Sequence, residues 1–166
     1  MKKLIYTLLI IIALTNNSFS AGTSSDSGDN NPTPKVSDYT KAKNLIKAAK
    51  KYEKKGKTEK AIKRYTKAQK LLLKSNEKKP LQADTLNYLG FTTRKLGDYE
   101  KGEEFYLQGL QIEPNHKGIN EYLGELYVVT GRMDMAKERL EVLKNCNCKE
   151  YDELKKIIEG TKKSKY

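Results

Sequence analysis

The sequence predicts an all-α chain, a helical solenoid of three helix pairs closed by a C-terminal capping helix. Three observations predict it. Gly90 and Gly124 stand 34 residues apart, as do Gly97 and Gly131, and a fixed period of this size marks stacked structural repeats. From Tyr39 onward apolar residues recur at helical spacing, as in Leu45, Ala48, Ala49 and Tyr52. The periodic runs break at Gly56, Gly97 and Gly131 and again at Pro80 and Pro114, where a residue with free φ or one without an N–H ends a helix.

The elements follow in order. Residues 1–20 read as a secretory signal peptide: Lys2 and Lys3, an apolar run of eleven residues from Leu4 to Leu14, then small Ser18 and Ser20 before Ala21. That run is well short of the roughly 20 residues a membrane-crossing helix needs. Cleavage is therefore expected at Ser20/Ala21, with export, most simply to the periplasm, and no cysteine stands there to take a lipid. Residues 21–38 hold Ser, Thr, Asp, Asn, Gly and Pro with Val36 as the one large apolar side chain, the composition of a flexible linker.

The domain is expected over residues 39–160, with repeats at about 42–80, 83–116 and 117–148 and the cap at about 149–160. In the first pair Leu45, Ala48, Ala49 and Tyr52 face Ala61, Ile62, Tyr65, Ala68, Leu72 and Leu73 across Gly56. The gap from Gly56 to Gly97 is 41 residues, seven more than the period, so the second helix is expected to run two turns long, through Asn76, before Pro80. Leu86, Leu89, Phe105, Tyr106, Leu110 and Ile112 form the middle pair, and Ile119, Leu123, Leu126, Tyr127, Met135, Ala136, Leu140 and Leu143 the third. A terminal repeat needs a cover for its apolar face, and Leu154, Ile157 and Ile158 supply one. Residues 161–166 form a short basic tail expected to fray.

Leu89, Gly90, Gly97, Tyr106 and Pro114, repeated as Leu123, Gly124, Tyr127, Gly131 and Ala136, resemble the tetratricopeptide repeat family. The runs Leu86-Asn87-Tyr88-Leu89-Gly90 and Glu121-Tyr122-Leu123-Gly124-Glu125, followed by Cys146, Cys148, Glu150 and Tyr151, are similar to small exported tetratricopeptide proteins of alphaproteobacteria that end in a cysteine pair. The resemblance implies a helical-pair scaffold and export, with no reaction attached. Thr93, Gly102, Gly109 and Leu140 depart from the family pattern.

Counting from the turn glycine, the resemblance places the partner-facing positions of each first helix. They are Lys43, Lys47, Lys50 and Lys54, then Asn87, Tyr88, Phe91, Arg94 and Lys95, then Glu121, Tyr122 and Glu125. A bound protein segment would meet a basic end, an aromatic centre with Arg94, and an acidic end. The implied function is a non-catalytic adaptor that holds a peptide or protein of the cell envelope in its concave groove. The alternative is an electrostatic binder of anionic envelope material. Residues 41–79 carry sixteen Lys and Arg against three Glu, and residues 80–166 fourteen against fifteen acidic groups, so the net charge of +12 resides in the first repeat. Export argues against nucleic acid as the partner.

No phosphate loop, nucleophile motif or metal-ligand spacing is present, so no enzyme, cofactor or metal is expected. His116, the only histidine, falls where a helix should begin. Cys146 and Cys148 flank one residue, Asn147; within one helix they could not bond, but in a loop they could. A disulfide, two buried thiols, an intermolecular bridge and a redox pair are all open at this point.

Overall fold

The computed structural model describes residues 36–164. The signal peptide and nearly all of the linker lie outside the described residues. Among those described there are seven helices and no strand: α1 (Asp38–Glu53), α2 (Thr58–Lys78), α3 (Ala83–Lys95), α4 (Tyr99–Ile112), α5 (Lys117–Val129), α6 (Met133–Leu143) and α7 (Lys149–Ile158). α1 pairs with α2, α3 with α4 and α5 with α6, successive pairs stack, and α7 covers α5 and α6.

The three turns repeat one local geometry. Gly56, Gly97 and Gly131 take φ of 66°, 98° and 75°. In each, the amide of the next residue bonds five residues back, Lys57 to Tyr52, Asp98 to Thr93 and Arg132 to Tyr127. This is the left-handed glycine stop that satisfies carbonyls at a helix C-terminus. The helix starts differ. Asp98 accepts from the Lys101 amide (3.0 Å), and His116 Nδ1 accepts from the Ile119 amide (3.1 Å), so the single histidine is an N-cap. α2 has 21 residues against 14 in α4, which absorbs the seven-residue excess of the first repeat.

Glycine in the helix bodies sets the packing distance. A Cβ on Gly90 would lie 2.5 Å from the Tyr106 ring, and one on Gly124 2.5 Å from Leu154. Two of the departures from the family pattern are matched by their neighbours. Gly109 leaves room for Ile119, whose Cδ1 sits 2.4 Å from where a Cβ would be, and Thr93 accepts a hydrogen bond from Gln69 (2.8 Å) in place of an aromatic contact. Ala42, Ile46, Ala49, Tyr65, Leu72 and Leu89 belong to one core cluster, Tyr106, Ile119, Leu123, Tyr127 and Ala136 to the next.

Two expectations change. α1 begins at Asp38, capped by the Ser37 hydroxyl, so ordered structure reaches into the segment read as linker. The described part of the basic tail, residues 161–164, is held against the domain rather than frayed, for reasons given below.

Candidate functional site

The first helices of the pairs, α1, α3, α5 and α7, are neighbours in that order. Their inner row is curved. Lys50 on α1 donates to the Tyr122 hydroxyl on α5 (3.3 Å), with its ammonium 4.3 Å from the Phe91 ring centre on the intervening α3. Side chains from two helices that flank a third meet in front of it only if the row closes into a concave face.

Aromatic rings pave that face. Tyr39 packs edge-on to Tyr88, Tyr65 edge-on to Phe91, and Phe91 on Tyr122 at 5.2 Å between centroids. Lys43 stands over Tyr39 and Tyr88. Burial raises the pKa of Tyr88 and of Tyr122, helped by Asp84 in the first case and by Glu121 and Glu125 in the second. Both remain neutral phenols that donate and accept hydrogen bonds at ordinary pH.

The expected partner-facing residues divide into three groups. Lys43, Lys47 and Lys54 are exposed and Lys50 half-buried, forming a basic rim along α1. Asn87 and Glu121 are buried but line a cleft of about 550 Å³, with Tyr88, Tyr122, Asp84, Glu150 and Glu153 around it. Phe91 and Arg94 are at most 2 % exposed, and this corrects the reading of them as partner contacts; Glu125 is equally buried, with Arg94 on one side and the Ser164 hydroxyl on the other. Arg94 Nη1 donates to the Tyr122 carbonyl (2.6 Å) and Nη2 lies 3.8 Å from Glu125 Oε2, so the pair ties α3 to α5 from inside. Burial pulls the Arg94 pKa down, opposed by the Tyr106 ring and by Glu125. Lys95 is corrected too: it pairs with Glu53 (2.6 Å), which also accepts from the Tyr65 hydroxyl (2.8 Å), fastening α3 to the first pair.

The tight curvature of the row is the physical reason for these corrections. Positions that would open to a wide groove instead face a neighbouring repeat, and their charges are spent on each other. Arg132 plays a similar part on the outside, gripping Glu103 with two bonds (2.9 and 2.7 Å) and lying over the Tyr127 ring. Sequence reasoning did not find this pair, since its members are 29 residues apart with no shared motif.

Cys146 and Cys148 are joined by a disulfide in the loop between α6 and α7, with Asn147 between them at φ 43°. Among the described residues no group of acidic, cysteine or histidine side chains could hold a metal ion. No helix among them is long and apolar enough to cross a membrane.

Residues 83–116, the second helix pair, match the family profile of the tetratricopeptide repeat. The second helix pair is a tetratricopeptide repeat. The type III secretion translocator chaperone SycD of Yersinia enterocolitica shares the fold, at 17% identity and a TM-score of 0.52 over 76% of this chain and 86% of that one. The first tetratricopeptide domain of Spaghetti (RPAP3), solved with an HSP90 peptide, is 23% identical over 75% of this chain and 96% of its own, with a TM-score of 0.47. The Arabidopsis OM64 tetratricopeptide domain is 14% identical over 75% of this chain and 99% of its own, also at 0.47. No curated protein matches the sequence.

Proposed function

We propose that this tetratricopeptide chain is an exported adaptor of the cell envelope that holds a segment of another protein across its concave face. The observation that carries the reading is the separation of charge along that face. Exposed Lys43, Lys47 and Lys54 stand on α1, and Glu150 and Glu153 stand on α7 around the cleft at the other side, with Tyr88 and Tyr122 between them. Such a surface orients an extended segment by charge and seats apolar side chains on rings. The signal-peptide pattern of residues 1–20 supports export.

The test is capture of envelope proteins by immobilised residues 21–166 in low salt and then in roughly 0.5 M salt, where the screening length is only a few Å. One protein retained at high salt, and lost with Lys43→Glu/Lys47→Glu, is the expected result. Both lysines are exposed, so the variant keeps its helical signal. Undiminished capture by the variant would overturn the reading.

A second reading has its own observation: every lysine between Lys41 and Lys79 except Lys50 is exposed, spread around α1 and α2 rather than confined to the concave face. That favours a delocalised attraction to anionic envelope surfaces. It requires binding to anionic vesicles that vanishes in the same high salt, and salt-resistant vesicle binding would refute it.

A further inference from the structure

The segment after α7 turns back on the domain. Gly160, at φ 71°, ends the helix, and the amides of Thr161 and Lys162 both bond to the Lys156 carbonyl (3.0 and 3.1 Å). This is a left-handed stop that reverses the chain. Residues 161–164 then run across the acidic end of the concave face. Lys162 pairs with Glu153 and lines the cleft beside Glu121 and Tyr122. The Ser164 hydroxyl donates to Glu125 Oε2 (3.3 Å), the carboxylate that Arg94 holds from the other side.

A lysine and a hydroxyl placed on two carboxylates of a binding face are what a bound segment would supply. We propose that residues 161–164 are a cis-ligand of the acidic half of the groove, and that the partner segment which replaces them is lysine-bearing. The chemistry of the site selects that class. Glu121, Glu150 and Glu153 line the cleft with Lys50 and Lys149 at its edges, Glu125 lies under Ser164, and the occupant in the structure is the start of Lys162-Lys163-Ser164-Lys165. The grip is suited to exchange. The Lys162–Glu153 pair is partly exposed on both sides, and such pairs hold weakly one at a time. Attachment to the same chain raises the local concentration of the segment to the order of millimolar, so it occupies the site until a tighter segment arrives.

The inference rests on the concave face being the binding surface. Its test uses the chain's own tail as probe, so a failure to capture an envelope partner does not decide it. A fluorescent peptide of residues 160–166 is titrated against the mature chain and against Lys162→Ala/Ser164→Ala. The substitutions remove the two contacts and add no charge. The variant is expected to bind the peptide at least about tenfold more tightly than the unaltered chain, because its own tail no longer competes. Adding Glu153→Lys to that variant abolishes the binding. Thermal unfolding of all three proteins checks that the fold is kept. Equal affinity for the unaltered chain and the Ala variant, or binding to neither, would overturn the proposal. So would binding that survives Glu153→Lys.

Discussion

Arg94→Met is the most informative single perturbation of this molecule. Arg94 and Glu125 are both withdrawn from solvent, their charged groups 3.8 Å apart, and Arg94 also satisfies the Tyr122 carbonyl at 2.6 Å. Methionine fills most of the arginine volume, so the change removes the charge and the donors while leaving little cavity. Breaking a buried pair from one side leaves an uncompensated charge and costs about 3–5 kcal/mol. That is a large part of the roughly 5–15 kcal/mol that holds a domain of ordinary size folded. At roughly 3 °C per kcal/mol for a domain of this length, the melting temperature should fall by about 10–15 °C, read by far-ultraviolet circular dichroism. The double variant Arg94→Met/Glu125→Met should regain most of the loss, because neither charge is then buried without its partner. A single-variant cost below about 1 kcal/mol, or a double variant as unstable as the single, would refute the assignment of this pair to the interior. The same geometry means that Arg94→Glu, an obvious choice for testing a groove contact, would bury two carboxylates together and unfold the third pair.

Four further outcomes are expected. Gly124→Ala pushes a Cβ to 2.5 Å from the fully buried Leu154 and should loosen α7 at a cost of about 1–3 kcal/mol, visible as faster amide exchange in that helix. Gly131→Ala meets nothing within 4 Å and should cost only the about 1–2 kcal/mol of its left-handed backbone, most of which Gly131→Asn restores, as thermal unfolding would show. Replacing Cys146 and Cys148 with serine opens a loop of a few residues, for which chain entropy gives a loss below about 2 kcal/mol, so urea unfolding should shift while the helical content stays. Burial raises the Tyr127 pKa to about 12 and moves Tyr39, Tyr65, Tyr106 and Tyr122 upward as well. Since the folded state favours the neutral phenols, this stability is complete below pH 10.0, the ordinary tyrosine value, and is lost as pH rises through the folded values. Phenolate absorbance from these five tyrosines and helix loss should therefore rise together above pH 10.0, and these five ionising in a still-helical chain would contradict it.

The helix pairs, their turns and the extra length of α2 were legible because each depends on local chemistry. A glycine with positive φ or an apolar residue every third or fourth position carries its signal within one turn of helix. Gly56 was found this way even though the rest of its repeat is weak. The inner face was legible only as positions. Counting from the turn glycine names Lys43, Lys47, Asn87 and Tyr88 as partner-facing positions, and Tyr88 lines one cleft with the two lysines and another with Asn87. Curvature depends on the volumes at the contacts between repeats, such as Gly109 against Ile119 and Gly118 against Asn87, and no spacing rule reports those. Hence Phe91, Arg94 and Glu125 went to the interior. The Lys50–Tyr122 contact spans 72 residues and the Ser164–Glu125 contact 39, distances at which sequence pattern has nothing to say.

That closure has a consequence for how the face can work. With Phe91 sealed beneath Lys50 and Tyr122, and Glu125 capped by Ser164, the deepest recognition groups of the inner row are already engaged within the chain. A partner gains at the centre only what remains after those contacts are exchanged, so affinity there is a difference between two similar sets of bonds. The rims are another matter. Lys43 and Lys47 on one side and Glu150 and Glu153 on the other are reachable without disturbing the core, and they set both the direction of approach and its salt dependence. Recognition on this scaffold should therefore proceed from the charged rims inward. Rim substitutions would change the association rate, and tail substitutions at Lys162 and Ser164 would change how much of the central contact a bound segment gains.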